Sequence, residues 1–141
     1  MKNEPQIVLS DKFGFNHFRP LQEEIIQHLL HTGDALVLMP TGGGKSLCYQ
    51  VPGLCLEGLT LVISPLISLM INQVEALKAK GISAAYLNSN LSLEEKRQLA
   101  AQIQRGEIDI LYTSPESLAS ERLIDFLNRV GVTFLAIDEA H

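Results

Sequence analysis

One glycine-rich segment carries side chains that could bind phosphate. It reads Pro40-Thr41-Gly42-Gly43-Gly44-Lys45-Ser46 and lies between an apolar run and a helical pattern. Consecutive glycines let backbone N–H groups turn inward at torsions that a Cβ would penalise, which forms a nest for phosphate oxygens at the positive end of a helix. Lys45 would then place its ammonium on the β and γ phosphates of a nucleotide, and Ser46 would offer its hydroxyl to Mg²⁺. The general pattern has glycine where this chain has Met39, yet the context of strand, loop and helix still predicts a phosphate site.

A pair of carboxylates near the end of the chain could complete such a site. Asp138 and Glu139 follow an apolar run that is typical of a buried strand. Asp138 would hold the Mg²⁺ of the nucleotide, directly or through water, and Glu139 would orient and deprotonate the attacking water. Taken alone, an acidic pair after a strand is typical of a solvated helix start. Together with the glycine loop upstream, it favours a catalytic site.

Short apolar runs rich in β-branched residues alternate with helical patterns along the chain. The runs that predict buried strands are Ala35–Met39, Leu59–Ile63, Ala84–Leu87, Ile108–Tyr112 and Phe134–Ile137. This alternation predicts an α/β fold with a parallel sheet and right-handed crossovers. Because the carboxyl ends of parallel strands meet at one sheet edge, the glycine loop and the acidic pair are expected at one site.

Two of the helical patterns are marked by their apolar stripes. The first has apolar residues over Leu21–Leu30, with Pro20 in its first turn and Gly33 at its end. The second carries apolar residues over Leu66–Leu77 and ends near Gly81. Each follows the helical spacing of three or four residues, which predicts one buried face per helix.

A third helix is marked by its first turn. Ser92-Leu93-Glu94-Glu95 has the capping-box form, in which the serine hydroxyl and the last carboxylate each accept a backbone N–H of the other residue. The helix is predicted to direct Leu99 and Ile103 inward and to end at Gly106.

Charge, cysteine content and apolar stretches exclude several classes of protein. With 11 Lys and Arg against 16 Asp and Glu, the chain of 141 residues has a net charge of −5, so no broad basic face can drive nucleic-acid binding. Cys48 and Cys55 lie seven apart without a CxxC pair, which fits reduced core residues better than a disulfide framework or a zinc site. Because neither a signal peptide nor a long apolar stretch is present, we expect a cytoplasmic protein that does not enter a membrane.

Four segments, in order, resemble motifs of the RecQ-type helicases of superfamily 2. They are Phe13-Gly14-Phe15-Asn16-His17-Phe18-Arg19-Pro20-Leu21-Gln22-Glu23, Met39–Pro52, Ser64-Pro65-Leu66-Ile67-Ser68-Leu69-Met70 and Asp138-Glu139-Ala140-His141. The second matches the family's version of the phosphate loop, including Met39. A single motif of this kind would be weak evidence, whereas four in order over nearly the whole chain are specific.

The resemblance implies a P-loop NTPase fold of the RecA-like type, with three layers and a mostly parallel sheet. It also implies ATP and Mg²⁺ as cofactors, with Phe15 and Arg19 holding the adenine ring and Gln22 reading its edge. A glutamine amide can pair with N6 and N7 of adenine together, which agrees with that role. Without the family, Phe13, Phe15 and Phe18 would be typical core aromatics, and Arg19 and Gln22 ordinary residues of a helix start.

The resemblance further implies contacts with one DNA strand through Ser64, Pro65 and Leu66, and through Ser114 in the turn Thr113–Glu116. Both segments lie between a strand and a helix, where backbone N–H groups could take a phosphate without a basic side chain. Ordinary Pro and Ser turns remain an alternative, most of all for the second segment.

Two further residues are compared with the family one by one. Asn72 departs from the aspartate that RecQ proteins generally have at this position. His141 would normally link hydrolysis to DNA binding.

The implied activity is ATP-driven movement along DNA in the 3′ to 5′ direction, with unwinding in repair or recombination. We expect residues 1–141 to be the N-terminal part of the first RecA-like domain, truncated at Asp138-Glu139-Ala140-His141. A second RecA-like domain, whose arginine completes the phosphate clamp, is absent, so this chain is expected to bind Mg-ATP at most and not to unwind DNA. An RNA helicase of superfamily 2 and an inert, non-catalytic remnant are the alternatives.

Overall fold

The computed structural model describes residues 3–32 and 45–137, which belong to two compact units, Met1–Glu57 and Gly58–His141. Within those described ranges, no helix is long and apolar enough to cross a membrane. Several sequence predictions lie outside them, namely the strand Ala35–Met39, the helix end at Gly33, and the site residues Thr41, Gly42, Gly43, Gly44, Asp138, Glu139 and His141.

The described part of the first unit consists of three helices: α1 (Pro5–Phe13), α2 (Gln22–Thr32) and α3 (Leu47–Cys55). Proline at the first position of α1 lacks only an N–H that a helix start leaves unpaired, and Gly14 ends the helix in the left-handed conformation at φ 74°. Both α1 and α2 pack against α3. They therefore fix the position of α3, which follows the predicted phosphate loop in the sequence.

The interior of the first unit includes both cysteines. Cys48 and Cys55 lie on α3 as thiols and are buried, as predicted for reduced core residues. Burial raises the pKa of the Cys48 thiol, because the charged thiolate is poorly solvated there. This thiol is therefore a packing group and a poor nucleophile.

The second unit is a parallel α/β sheet. Its elements are β1 (Leu59–Ile63), α4 (Ile67–Ala79), β2 (Ala84–Leu87), α5 (Leu93–Gln104), β3 (Ile110–Thr113), a 3-10 turn (Ser117–Ala119), α6 (Glu121–Val130) and β4 (Val132–Ile137). The four strands run parallel in the order β2-β3-β1-β4. The α/β fold with a parallel sheet, predicted from the alternation of runs and helices, is confirmed.

Helices cover both faces of this sheet. On one face, Leu61 of β1 and Leu111 of β3 pack in a core cluster with Leu99 of α5 and Leu127 of α6. On the other face, α4 packs against β2 and β3. Because side chains alternate along a strand, the buried Val62 belongs to this second layer. The helices and sheet therefore form three layers, as predicted.

Two strands differ from the predicted bounds. The strand predicted at Ile108 begins only at Ile110, because the N–H of Asp109 is bonded to the Ser83 carbonyl in the preceding turn, at 2.8 Å. β4 begins at Val132, two residues before the predicted Phe134, since a β-bulge lets Val132 pair with Leu59 while Phe134 pairs with the next residue. The strands β1 and β2 agree with the prediction at both ends.

Glycine is required beside this bulge. Gly58 has φ 99°, and a Cβ there would lie 2.6 Å from Cγ2 of Thr133. Any other residue would need both a strained backbone and a displaced β4. The sequence Glu57-Gly58 therefore fixes where β1 begins.

The predicted starts of α4 and α5 agree with the structure, whereas the predicted start of α2 does not. The capping box of α5 is present: Oγ of Ser92 accepts the N–H of Glu95 at 3.1 Å, and Oε1 of Glu95 accepts the N–H of Ser92 at 2.9 Å. Accepting that N–H lowers the pKa of Glu95. For α2, however, the placement of Pro20 in the first turn was wrong, because Leu21 has φ 76° and the helix begins only at Gln22.

Candidate functional site

The described part of the predicted phosphate site is the first turn of α3. The carbonyls of Lys45 and Ser46 accept the N–H groups of Cys48 and Gln50 at 3.0 and 2.9 Å, so the helix is formed from this point. The hydroxyl of Ser46 does not cap the helix. The first N–H groups of a helix carry a partial positive charge and have no partner within the helix. Lys45 and Ser46 thus lie at an end that suits an anion.

A tight turn precedes α2. The N–H of Arg19 donates to Oε1 of Gln22 at 2.7 Å, and the N–H of Gln22 donates to the Arg19 carbonyl at 3.1 Å. Gln22 is only 1% exposed, so its carboxamide is held within the turn rather than in solvent. The two bonds fix the orientation of the amide and set it beside the backbone of Arg19.

Leu21, inside this turn, has a strained backbone. Its φ of 76° lies in the left-handed region, which costs a residue with a Cβ about 1–2 kcal/mol. Its side chain is 60% exposed, so little packing compensates for that cost. Nothing in the sequence predicts this conformation, because leucine is disfavoured in it.

We expect Leu21→Gly to raise the free energy of unfolding by about 0.5 kcal/mol, since the relief of strain exceeds the entropy of about 0.5–1 kcal/mol that glycine loses on folding. Leu21→Val should lower it by about 1 kcal/mol, because a β-branched side chain fits the left-handed region least well. Urea unfolding followed by circular dichroism measures both values. Equal stability of the two variants would contradict a strained turn.

The three aromatic residues before this turn differ in exposure. Phe13 is 8% exposed and belongs to the interior of the first unit, as core packing predicts. Phe15 is 51% exposed, and Phe18 is half-buried. For Phe15 the interpretation as a core aromatic was therefore wrong, and its ring is available for stacking. Arg19 is also exposed.

The two predicted nucleic-acid segments are brought together at one edge of the sheet. Ile63 of β1 and Thr113 of β3 are paired, so Ser64 and Ser114 follow at the carboxyl ends of neighbouring strands. The N–H of Ser64 donates to the Thr113 carbonyl at 2.9 Å, which ties the two turns to each other. A single extended ligand could therefore touch both.

The serine side chains of these segments face inward. Ser64 and Ser114 are each 2% exposed. Oγ of Ser114 accepts the N–H of Ser117 at 3.2 Å, and Oγ of Ser64 accepts the N–H of Leu66 at 3.4 Å. The exposed surface of the first segment belongs to Pro65 and Leu66. A phosphate at this edge would thus meet backbone N–H groups at the start of α4 rather than hydroxyls.

The last described residue, Ile137, lies at the same edge. It is paired with Ile63, the last residue of the neighbouring strand β1. The acidic residues that follow it lie outside the described ranges. Asn72, the departure noted in the sequence, occupies an exposed position on α4.

Comparison with known proteins places the chain among helicases. A family model described as DEAD/DEAH box helicase matches residues 19–141. The crystal structure of the DUF1998 helicase MrfA bound to DNA and AMPPNP is similar, with a TM-score of 0.74 and 21% sequence identity over 96% of this chain and 20% of that chain. At this identity the likeness shows the fold.

Curated relatives are more similar in sequence. The "ATP-dependent DNA helicase RecQ" of Haemophilus influenzae is 51% identical over 95% of this chain and 22% of its own length. The protein of the same name in Bacillus subtilis is 44% identical over 100% of this chain and 24% of its own length. The "ATP-dependent DNA helicase Q1" of Mus musculus is 42% identical over 95% of this chain and 22% of its own length. The chain thus spans about a fifth to a quarter of the length of these relatives.

Proposed function

The chain belongs to the DEAD/DEAH box helicase family, and from that membership we propose that it is part of a RecQ-type, ATP-dependent DNA helicase. The observation that carries this proposal is the identity of 51% and 44% with proteins named ATP-dependent DNA helicase RecQ. That identity extends over 95% or more of the chain and so includes every motif that could bind nucleotide or DNA. The proposed reaction is ATP hydrolysis coupled to 3′ to 5′ movement along DNA and to strand separation.

ATP would bind at the start of α3. The ammonium of Lys45 would lie on the β and γ phosphates, and the N–H groups from Thr41 to Ser46 would donate hydrogen bonds to the phosphate oxygens. The first turn of α3 fits this role, because its positive end is formed and the Ser46 hydroxyl is not used for capping. That hydroxyl and Asp138 would hold Mg²⁺, which neutralises charge that develops on the phosphates.

The adenine base would be recognised from the turn before α2. The exposed ring of Phe15 and the guanidinium of Arg19 offer planes for stacking on the base. Gln22 would pair with N6 and N7 of adenine through an amide whose orientation the Arg19 N–H sets. The bond at 2.7 Å therefore supports this role by ordering the amide before the base arrives.

Water attack would depend on the residues after β4. Glu139 would take the proton of the attacking water, and Asp138 would orient the metal. His141 would connect this step to bound DNA. The resemblance implies that an arginine from a second domain completes the clamp, so we propose that residues 1–141 alone do not unwind DNA.

DNA would lie along the carboxyl edge of β1 and β3. Ser64, Pro65 and Leu66 precede the start of α4, whose N–H groups can take a phosphate, and Ser114 adds the neighbouring turn. Backbone contacts of this kind suit a protein with a net charge of −5, because they need no basic surface.

A strand-separation assay tests the proposal on the longer protein that contains this segment. The substrates are a DNA duplex with a 3′ single-stranded tail, the same duplex with a 5′ tail, and an RNA duplex of the same sequence. ATP-dependent separation of the 3′-tailed DNA is the expected result. Separation of RNA at an equal rate would favour an RNA helicase instead. Absence of ATP hydrolysis in the presence of single-stranded DNA would overturn the proposal.

A further inference from the structure

A cavity of about 420 Å³ lies between α5 and α6, on the sheet face that these two helices cover. Its base is formed by Leu87, the last residue of β2, and by Leu111 of β3. This volume lies within the range of about 300–1,000 Å³ that is usual for small-molecule pockets. In open α/β sheets, ligands bind in crevices at the carboxyl ends of strands, which is where this cavity lies. Among the predicted nucleotide and DNA contacts, only the turn Thr113–Glu116 reaches it, through Glu116 at its edge.

The interior of the cavity is apolar. Leu99 and Ile103 form the α5 wall, and Leu123 and Phe126 form the α6 wall. Ala100 stands on the α5 wall, where a larger side chain would fill the space. The cavity is partly open to solvent, so its apolar lining faces water. An apolar ligand would displace that water and remove the lining from contact with it, which is favourable.

The rim of the cavity carries charge. Lys96 lies on α5 one turn before Ala100, and Arg122 lies in the first turn of α6. Both are exposed, and neither has an ion-pair partner within residues 3–32 and 45–137. Glu116 also lines the cavity, so the rim has two cations against one anion in a chain whose net charge is −5. This local excess of positive charge favours an anionic group at the mouth.

We propose that this cavity binds a small amphipathic anion. Its aromatic or aliphatic body lies between Leu99, Ile103 and Phe126, and its carboxylate, sulfonate or phosphate group lies at the mouth near Lys96 and Arg122. The guanidinium of Arg122 can pair with two oxygens of such a group, and the ammonium of Lys96 adds a second point of charge. None of the residues that line the cavity belongs to the phosphate loop.

Fluorescence titration with anilinonaphthalene sulfonate, an aromatic anion, tests this proposal on the 141-residue chain. Ala100→Phe fills the interior, and the double variant Lys96→Gln with Arg122→Gln removes the charge of the rim. Lys78→Gln, an exposed lysine on α4, is the matched control. Circular dichroism melts establish that each variant is folded at the temperature of the titration.

The expected result is saturable binding that Lys78→Gln leaves unchanged. Ala100→Phe should weaken it at least tenfold, and the double variant should also weaken it about tenfold, or about 1.4 kcal/mol. Phenylnaphthylamine, an uncharged analogue, should bind wild type and double variant equally.

Two results would overturn the proposal. A folded Ala100→Phe variant that binds like wild type would show that the probe lies elsewhere. Should Ala100→Phe fail to fold, the double variant decides alone, and unchanged affinity there would reject an anion site.

Discussion

Replacing Lys45 by alanine is expected to weaken Mg-ATP binding by about ten- to a hundredfold. A hydrogen bond to a charged group contributes about 1.5–3 kcal/mol, and each 1.4 kcal/mol is a tenfold change in the dissociation constant. We expect a loss of this size because Lys45 lies at the start of α3. The helix N–H groups there would hold the phosphates in place, so the variant would lose a well-positioned hydrogen bond from a charged group. Titration calorimetry of the 141-residue chain with Mg-ATP measures the constant directly.

Lys12→Ala is the matched control for this experiment. Lys12 is an exposed lysine on α1, so its removal changes the net charge by the same amount at another place. The control should bind like wild type. If both variants lost affinity equally, the effect would come from overall charge, and Lys45 would have no special role. If Lys45→Ala bound like wild type while still folded, the phosphate site itself would be wrong.

Leu61→Ala is expected to lower the free energy of unfolding by about 3 kcal/mol, within the range of about 2–5 kcal/mol for buried leucines. Leu61 lies on β1, which has a neighbour on each side, and is 5% exposed in the cluster that α5 and α6 cover. Truncation to alanine leaves a cavity there, and the closely packed strands and helices around it cannot move enough to fill it. Urea unfolding followed by circular dichroism measures the loss. The slope of the unfolding free energy against urea concentration should stay unchanged.

The same sheet provides a matched leucine for comparison. Leu135 of β4 is paired with Leu61 on the same face, yet it is 54% exposed. Leu135→Ala should therefore cost less than about 1 kcal/mol, because most of its apolar surface is already in water. Comparable losses for the two variants would mean that β4 is covered to the same degree as β1.

The architecture could be predicted because its signals are local. The runs Leu59–Ile63 and Ala84–Leu87 are short, apolar and bounded by glycine or polar residues, so pattern alone gives their limits. The capping box at Ser92 satisfies helix-end donors with side chains from one turn, and it too is visible in the sequence. In these cases the signal lies within the element that it defines, and the predictions hold.

Other features depend on a distant contact or oppose the preference of the residue itself. The early start of β4 follows from a bulge opposite Leu59, which is 74 residues away from Thr133. The left-handed backbone of Leu21 is held by the bonds between Arg19 and Gln22, against the preference of leucine itself. Neither is encoded in a local pattern.

Helices α1 and α6 were not predicted, although the signal of α6 is present in the sequence. Helix α6 begins at a serine N-cap, Ser120, whose hydroxyl accepts the N–H of Leu123. Its apolar residues Leu123, Phe126, Leu127 and Val130 recur at spacings of three and four, which is typical of an amphipathic helix. That Lys96 and Arg122 line the same cavity could not be predicted either. The two residues lie on different helices, and only the folded sheet brings these helices together.

The strand order has a consequence for biosynthesis. β1 is central in the sheet, yet both of its partners are made after it, and Thr133 of β4 reaches the Leu59 carbonyl from 74 residues further along. At about 5–20 residues per second on the ribosome, β4 follows β1 by about 4–15 s. Both edges of the uncharged segment Leu59–Ile63 are unpaired until β3 is made, and the edge that β4 covers stays unpaired for the whole interval. Such segments are prone to pair with one another, so newly made chains benefit from anything that shields this edge until β4 has been translated.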